Sequence, residues 1–184
     1  MTRTVLPAIS TLAPLSWKTE PSIWVGIVNP AYCCSVPSNL DDLQCSIERS
    51  LHVVGERWSL LILRESHRGA TRFDEFRDAL GISSDILTAR LGTLVKHGVL
   101  ERRPYREPGR RERLEYHLTE SGRQLQLVLG ALGQWGDTYL PRTQGPSIER
   151  RSPTGQAVRL CYVDESGVEV SPADVKSHRT AAYR

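Results

Sequence analysis

Between residues 99 and 113 the chain sets six arginines against three glutamates, a surplus of three that equals the formal net charge of the whole 184-residue chain, +3. Such a local excess is what a phosphate-contacting element needs, and an even distribution would not supply it. Within this stretch Arg106, Arg110 and Arg111 flank Glu107-Pro108-Gly109, a turn signal in which Pro sets φ and Gly permits a positive φ. Guanidinium groups on a tight turn can reach phosphate oxygens or the minor groove of a duplex. Just upstream, Ser84, Asp85, Thr88, Ala89 and Thr93 supply small, mostly polar side chains opposite an apolar face, and Arg90 stands at its border, placed either for a phosphate contact or, like Arg64, to brace helices through a carboxylate such as Glu56 or Glu65. A helix with that composition can bring its backbone into a major groove roughly 12 Å wide. Each feature alone has a plainer account, a solvated helix face and a soluble turn. Their order along the chain favours nucleic acid. Catalytic chemistry finds no support: His52, His67, His97, His117 and His178 are scattered, and no His-Glu-x-x-His, Gly-rich phosphate loop or Gly-x-Ser-x-Gly is present. No enzyme, metal site or cofactor is expected.

Helices must position these residues. Ile47, Leu51 and Val54 recur at four and three, giving one face of a first helix that Gly55 ends. Trp58 to Leu63 is apolar nearly all round, the mark of a helix at the centre of a bundle, closed by Gly69. Phe73, Phe76 and Leu80 form a third apolar face, with Gly81 placed as a C′ glycine. Ser83 or Ser84 then caps a fourth helix with Leu87, Leu91, Leu94 and Val95 inward and Gly98 at its end. The period next changes to that of strands, 99–105 and 113–118, around the arginine-bearing turn. Thr119 caps a long last helix in which Leu125, Val128, Leu132, Trp135 and Tyr139 repeat at three and four, a stripe that predicts packing against another subunit. Trp58 and Trp135 fit core positions better than a ligand pocket. The expected fold is mainly α with a small β-hairpin wing, a winged helix-turn-helix dimerising through its first and last helices.

Three zones follow from punctuation. Residues 1–42 are rich in Pro, Ser and Thr and read as a weakly ordered extension; 43–140 carry the regular pattern; 141–184 return to Pro, Gly and Ser with a small hairpin around Asp164–Gly167. The apolar run Ile23–Val28 is far short of the roughly 20 residues a membrane helix needs, and Pro7 and Pro14 interrupt any leader core. No membrane association is expected. The four cysteines, Cys33, Cys34, Cys45 and Cys161, lack Cys-x-x-Cys spacing and read as free thiols of a reducing, cytoplasmic compartment.

With the motifs in view, residues from about Cys45 to Trp135 resemble the HxlR-type regulators, relatives of the MarR-like winged-helix proteins. The resemblance rests on CSIER from Cys45, VGERWSLLILR from Val54, RFDEF from Arg72 and GISSDILTARL from Gly81. HGVLER from His97, EYHLTESG from Glu115 and the terminal Gln134-Trp135-Gly136 continue it in order. It implies a transcriptional regulator, nucleoid-associated and by steric logic a repressor, that binds a near-palindromic operator in double-stranded DNA as a homodimer. It also implies that Cys45 matches a cysteine with which some relatives sense electrophiles or oxidants. A helix N-terminus favours a reactive thiolate, while Asp41 and Asp42 just upstream oppose it, and the plainer reading of Cys45 is a small apolar packing residue near the dimer interface. A small electrophile, oxidant or metabolite is thus a candidate effector. Two features depart from the family pattern: Asp85 stands where relatives often carry a basic residue, and the tail beyond Pro141 belongs to only some of them. The competing function is a winged-helix module that binds a partner protein in place of DNA.

Overall fold

Burial sorts the predicted faces into a single core. In the computed structural model, which describes residues 40–181 and Tyr183, a 3₁₀ turn at Leu40–Asp42 leads into α1 (Ser46–Val54) and α2 (Arg57–His67). Next come α3 (Phe73–Leu80), α4 (Ser84–Lys96), β1 (Leu100–Tyr105) and β2 (Arg113–Leu118). The order closes with α5 (Glu120–Gln124), α6 (Gln126–Tyr139), β3 (Tyr162–Val163) and β4 (Glu169–Val170). The described residues belong to one compact unit. The readings made on residues 1–39, including Cys33, Cys34 and the run Ile23–Val28, lie outside the described residues. Among the described residues no helix is long and apolar enough to cross a membrane.

The central helix is α2, as its apolar circumference predicts. It buries Ile62 and Leu63 against Phe76 of α3, Leu87, Leu91 and Leu94 of α4, and Leu100 of β1. Trp58 is half-buried and packs on this core, whereas Trp135 is 55% exposed, so the core position expected for the second tryptophan is not what the structure shows. The reason is direction: Leu125 and Leu129 are the residues of the last helix that turn toward the core, and Trp135 points away with Val128, Leu132 and Tyr139. The first helix behaves alike, with Val54 buried but Ile47 71% and Leu51 58% exposed.

The last helix also differs in continuity. A long helix from Thr119 is interrupted at Leu125, whose amide donates to the Gly122 carbonyl in a tighter, 3₁₀-like step. The first turn is held separately. Thr119 accepts from the Gly122 amide as N-cap, and its hydroxyl and that of Ser121 donate to the Gly98 carbonyl at 2.6 and 2.8 Å. β1 and β2 pair antiparallel from Leu100↔Leu118 to Tyr105↔Arg113, with Val99 left as a buried lead-in. In the tail, β3 and β4 form the small hairpin expected around Asp164–Gly167.

Candidate nucleic-acid interface

The turn between α3 and α4 decides how the second helix is presented. Gly81 adopts φ 60°, ψ 30°, the left-handed C′ conformation that reverses the chain without a Cβ penalty. Ser83 caps α4 through the Ile86 amide. Leu87, Leu91 and Leu94, each fully buried, then lock the rotation of the helix. Ser84, Asp85, Thr88 and Ala89 are exposed on its outer side. Thr93 is half-buried and donates to the Ala89 carbonyl at 3.1 Å. Arg90 does not join the face: it is half-buried, its guanidinium turned to Glu56 at 3.5 Å, across to the residue that opens α2. Lys96, absent from the expected site, is exposed and shares the stripe of Asp85, Ala89 and Gly92 at spacings of four, three and four. That same spacing, followed one turn further along the sequence, would have found it.

The wing is tied to the helix-turn-helix chiefly through Arg72, with Arg113 pairing to Asp74 of α3 as a second link. Arg72, at the start of α3, donates through Nε to Glu115 at 3.1 Å and through Nη1 to Glu107 at 2.9 Å. Its guanidinium also lies 4.5 Å from the centroid of the Tyr105 ring. The Tyr116 amide donates to the Thr71 carbonyl at 2.7 Å, and Arg72 bridges Glu115, so the chain before α3 extends the hairpin. The Arg72 hydrogen bond, and then that of His117, holds the Glu115 carboxyl below the ordinary glutamate value, while the same contact raises Arg72 further. Glu75 is lowered as well, by the amides of Arg72 and Thr71.

At the wing tip, Gly109 takes φ 74° and the Arg110 amide closes the turn on the Glu107 carbonyl at 3.0 Å. Arg110 stands 3.6 Å from Glu107, which is shared with Arg72. Arg106 and Arg111 are exposed, and among the described residues neither has a carboxylate within ion-pair distance. The strand arginines are otherwise occupied: Arg103 pairs with Glu101, Arg113 with Asp74 at 3.3 Å, and Arg102 lies over Tyr116. The uncompensated charge therefore sits at the tip.

This arrangement is that of a winged helix-turn-helix, and a family model described as HxlR-like helix-turn-helix matches residues 53–144, half of the chain. The chain belongs to the HxlR-like family. The HTH-type transcriptional regulator Rv3095 of Mycobacterium tuberculosis, itself uncharacterized, is 49% identical over 109 residues, 59% of this chain and 68% of the relative. The similarly described YdeP of Bacillus subtilis is 35% identical over 114 residues, 61% of this chain and 88% of its own. Among solved structures, that of the transcription-factor candidate PA1607 is 37% identical with a TM-score of 0.65, covering 74% of this chain and 95% of the other. The HxlR-like match contains α2 to α6 and both halves of the interface just described. It ends before the part of the C-terminal extension that carries β3 and β4.

Cys45 occupies the N-cap position of α1 with extended backbone (φ −81°, ψ 121°), half-exposed and free, and its side chain makes no capping bond. It is distant in sequence from the wing and the α4 face. Cys161 is the second free thiol among the described residues and is exposed.

Proposed function

We propose that this HxlR-like chain is a sequence-specific, double-stranded-DNA-binding repressor that occupies a near-palindromic operator as a homodimer, in the cytoplasm at the nucleoid. The observation that carries the reading is the pairing of an exposed face on α4 with a wing tip whose Arg106 and Arg111 lack carboxylate partners. The α4 face is narrow and small enough for the major groove. The tip charges have nothing within the described chain to neutralise them and suit the flanking phosphates. A homodimer is supported by the exposed apolar rows of α1 and α6, which a monomer would leave in water. Two-fold symmetry would set the recognition helices about 34–36 Å apart, one turn of duplex. Repression follows from occlusion of a promoter by such a dimer. Cys45, free and at the start of an exposed-faced α1, is the place at which an oxidant or electrophile would act on the dimer.

The test is a salt titration of binding to DNA from the chain's own upstream region, compared with unrelated DNA. Tight, selective binding whose affinity falls steeply with salt is expected. Arg110→Ala with Arg111→Ala should weaken both duplexes and flatten the slope by about two. Binding indifferent to salt would point to a partner protein in place of DNA. A redox role for Cys45 requires loss of binding on oxidation, recovery on reduction, and neither in Cys45→Ser.

A further inference from the structure

The C-terminal extension folds back along α6, and the contact is built into both segments. Gln134 closes a two-way pair with Leu160: its Nε2 donates to the carbonyl at 3.0 Å and its Oε1 accepts from the amide at 2.9 Å. Two glycines make room for the approach. A Cβ at Gly130 would stand 2.7 Å from Leu160 Cδ1, and one at Gly133 would stand 2.8 Å from Arg150 Nη2. The docked extension, α2 and α6 line an open cleft of about 600 Å³. That is within the size range of small-molecule sites. The wall that the extension supplies begins past residue 144, where the family match ends.

The lining has two characters. Leu60, Leu129 and Ile148 make an apolar bed, and Arg57, Arg64 and Arg150 stand at its edge, with Asp137 as the acidic residue of the lining. Arg150 is half-buried against the glycine face of α6 and, among the described residues, has no carboxylate within ion-pair distance. Arg57 is held over the Trp58 ring at 4.8 Å, likewise without a carboxylate. Arg64 shares the single carboxylate of Glu65 with Arg68, at 2.6 and 3.1 Å. Positive charge is therefore in surplus beside an apolar bed. A half-buried guanidinium with unused donors favours an anionic partner.

We propose that this cleft is an effector site for a small amphipathic organic anion, a compact aromatic or branched apolar body with one anionic head. The head is held by Arg150 and Arg57, and the body lies on Leu60, Leu129 and Ile148. A ligand there bears on α6, whose outer row is the proposed dimer face, and on α2, which packs against α4. Occupancy is thereby coupled to the spacing of the two recognition helices. That consequence rests on the regulator reading; binding itself does not.

The experiment uses the full chain and two fluorescent probes of one ring system, anilinonaphthalene sulfonate and the uncharged phenylnaphthylamine. The sulfonate should saturate at one probe per chain and bind about tenfold more tightly than its neutral analogue. Arg150→Gln should lose about tenfold for the sulfonate while leaving the neutral probe and the melting temperature unchanged. Arg57→Gln, on a different element, should repeat the pattern, which separates loss of charge from a disturbed extension. Equal affinity for the two probes, indifference to both variants, or no saturable binding because a partner protomer covers the cleft would each overturn the site. Saturating sulfonate should also change the dissociation constant for DNA at least about threefold, and no change would overturn the effector role. Failure of the probe-free protein to bind any DNA would sink the regulator reading, while the probe titration still decides the site.

Discussion

Asp85 lies in the first turn of α4, exposed, in the stripe that Ala89 and Lys96 continue. There its carboxylate favours the helix macrodipole, yet it repels any phosphate brought near the same amides. Asp85→Asn should therefore tighten binding to unrelated DNA by about three- to tenfold and narrow the gap between operator and unrelated sequence, read by fluorescence anisotropy on both duplexes. Unchanged affinity for both would mean that this side of α4 does not face the duplex. Arg90 makes the opposite case. Its ion pair with Glu56 and a buried Nε without a partner place it as a brace between α4 and the start of α2. Arg90→Ala should lower the melting temperature, by the equivalent of about 1–2 kcal/mol, and leave the salt slope of DNA binding as it was. A slope reduced by one would return Arg90 to the phosphate-contacting set. The small outer residues of α4 were legible because helical spacing sorts one helix into faces. Arg90 was legible only as a choice between a brace to a carboxylate such as Glu56 and a phosphate contact, because a border residue has two directions open to it and the carboxylate that claims it is on another helix.

On the scale of elements, the wing tip is exposed, and of the bonds that tie the hairpin to the chain around α3 the Arg72 bracket is the one that grips two wing carboxylates at once. Arg72→Gln keeps a donor for one carboxylate but loses the fork that grips Glu107 and Glu115 together. It should weaken DNA binding about tenfold without altering the salt slope, since the Arg72 guanidinium is committed to Glu107 and Glu115. A change in slope would make it a contact residue instead. Acid probes the same bracket. Glu75 and Glu115 titrate below the ordinary glutamate value of 4.5, so the stability they lend is complete above that pH and is lost as pH falls through their lowered values. Thermal melts below pH 4.5 should show the loss, and Glu115→Gln should reduce its steepness; an unaltered profile would remove Glu115 from the account. Helices α1 to α4 and the hairpin could be read from sequence because periodicity, capping residues and the Pro-Gly turn are local signals. The break at Leu125 could not. It arises where a first turn anchored to the Gly98 carbonyl meets a second segment aligned on α2, and no residue type at that point announces it.

For the whole molecule, the two faces of α6 divide the labour. One side carries Gly130 and Gly133 and is covered by the extension, while Val128, Leu132, Trp135 and Tyr139 remain exposed, as do Ile47 and Leu51 of α1. Leu132 stands at the rim of the arginine-edged cleft, and Trp135 and Tyr139 lie beside Leu160 and Tyr162 of the extension. Large apolar residues repeating at helical spacing on an uncovered face are costly in a monomer, and the sequence period alone had already marked the α6 row as a seam. Joined across a two-fold axis, the rows of α1 and α6 would also tie two recognition helices to one operator, so that the second half-site is bound at high effective concentration. The double substitution Leu51→Glu with Val128→Glu tests that link, because neither side chain belongs to the buried core or to the arginine-edged cleft. Analytical ultracentrifugation should find the parent chain dimeric and the variant monomeric, with unchanged helical content. Affinity for a full operator should fall by about a hundredfold or more, while affinity for an isolated half-site stays close to that of the parent. A variant that remains dimeric would place the interface on another surface. A monomeric variant that still binds the full operator as tightly would show that each protomer reads its half-site alone, and the apolar rows would then need a partner other than a second copy of this chain.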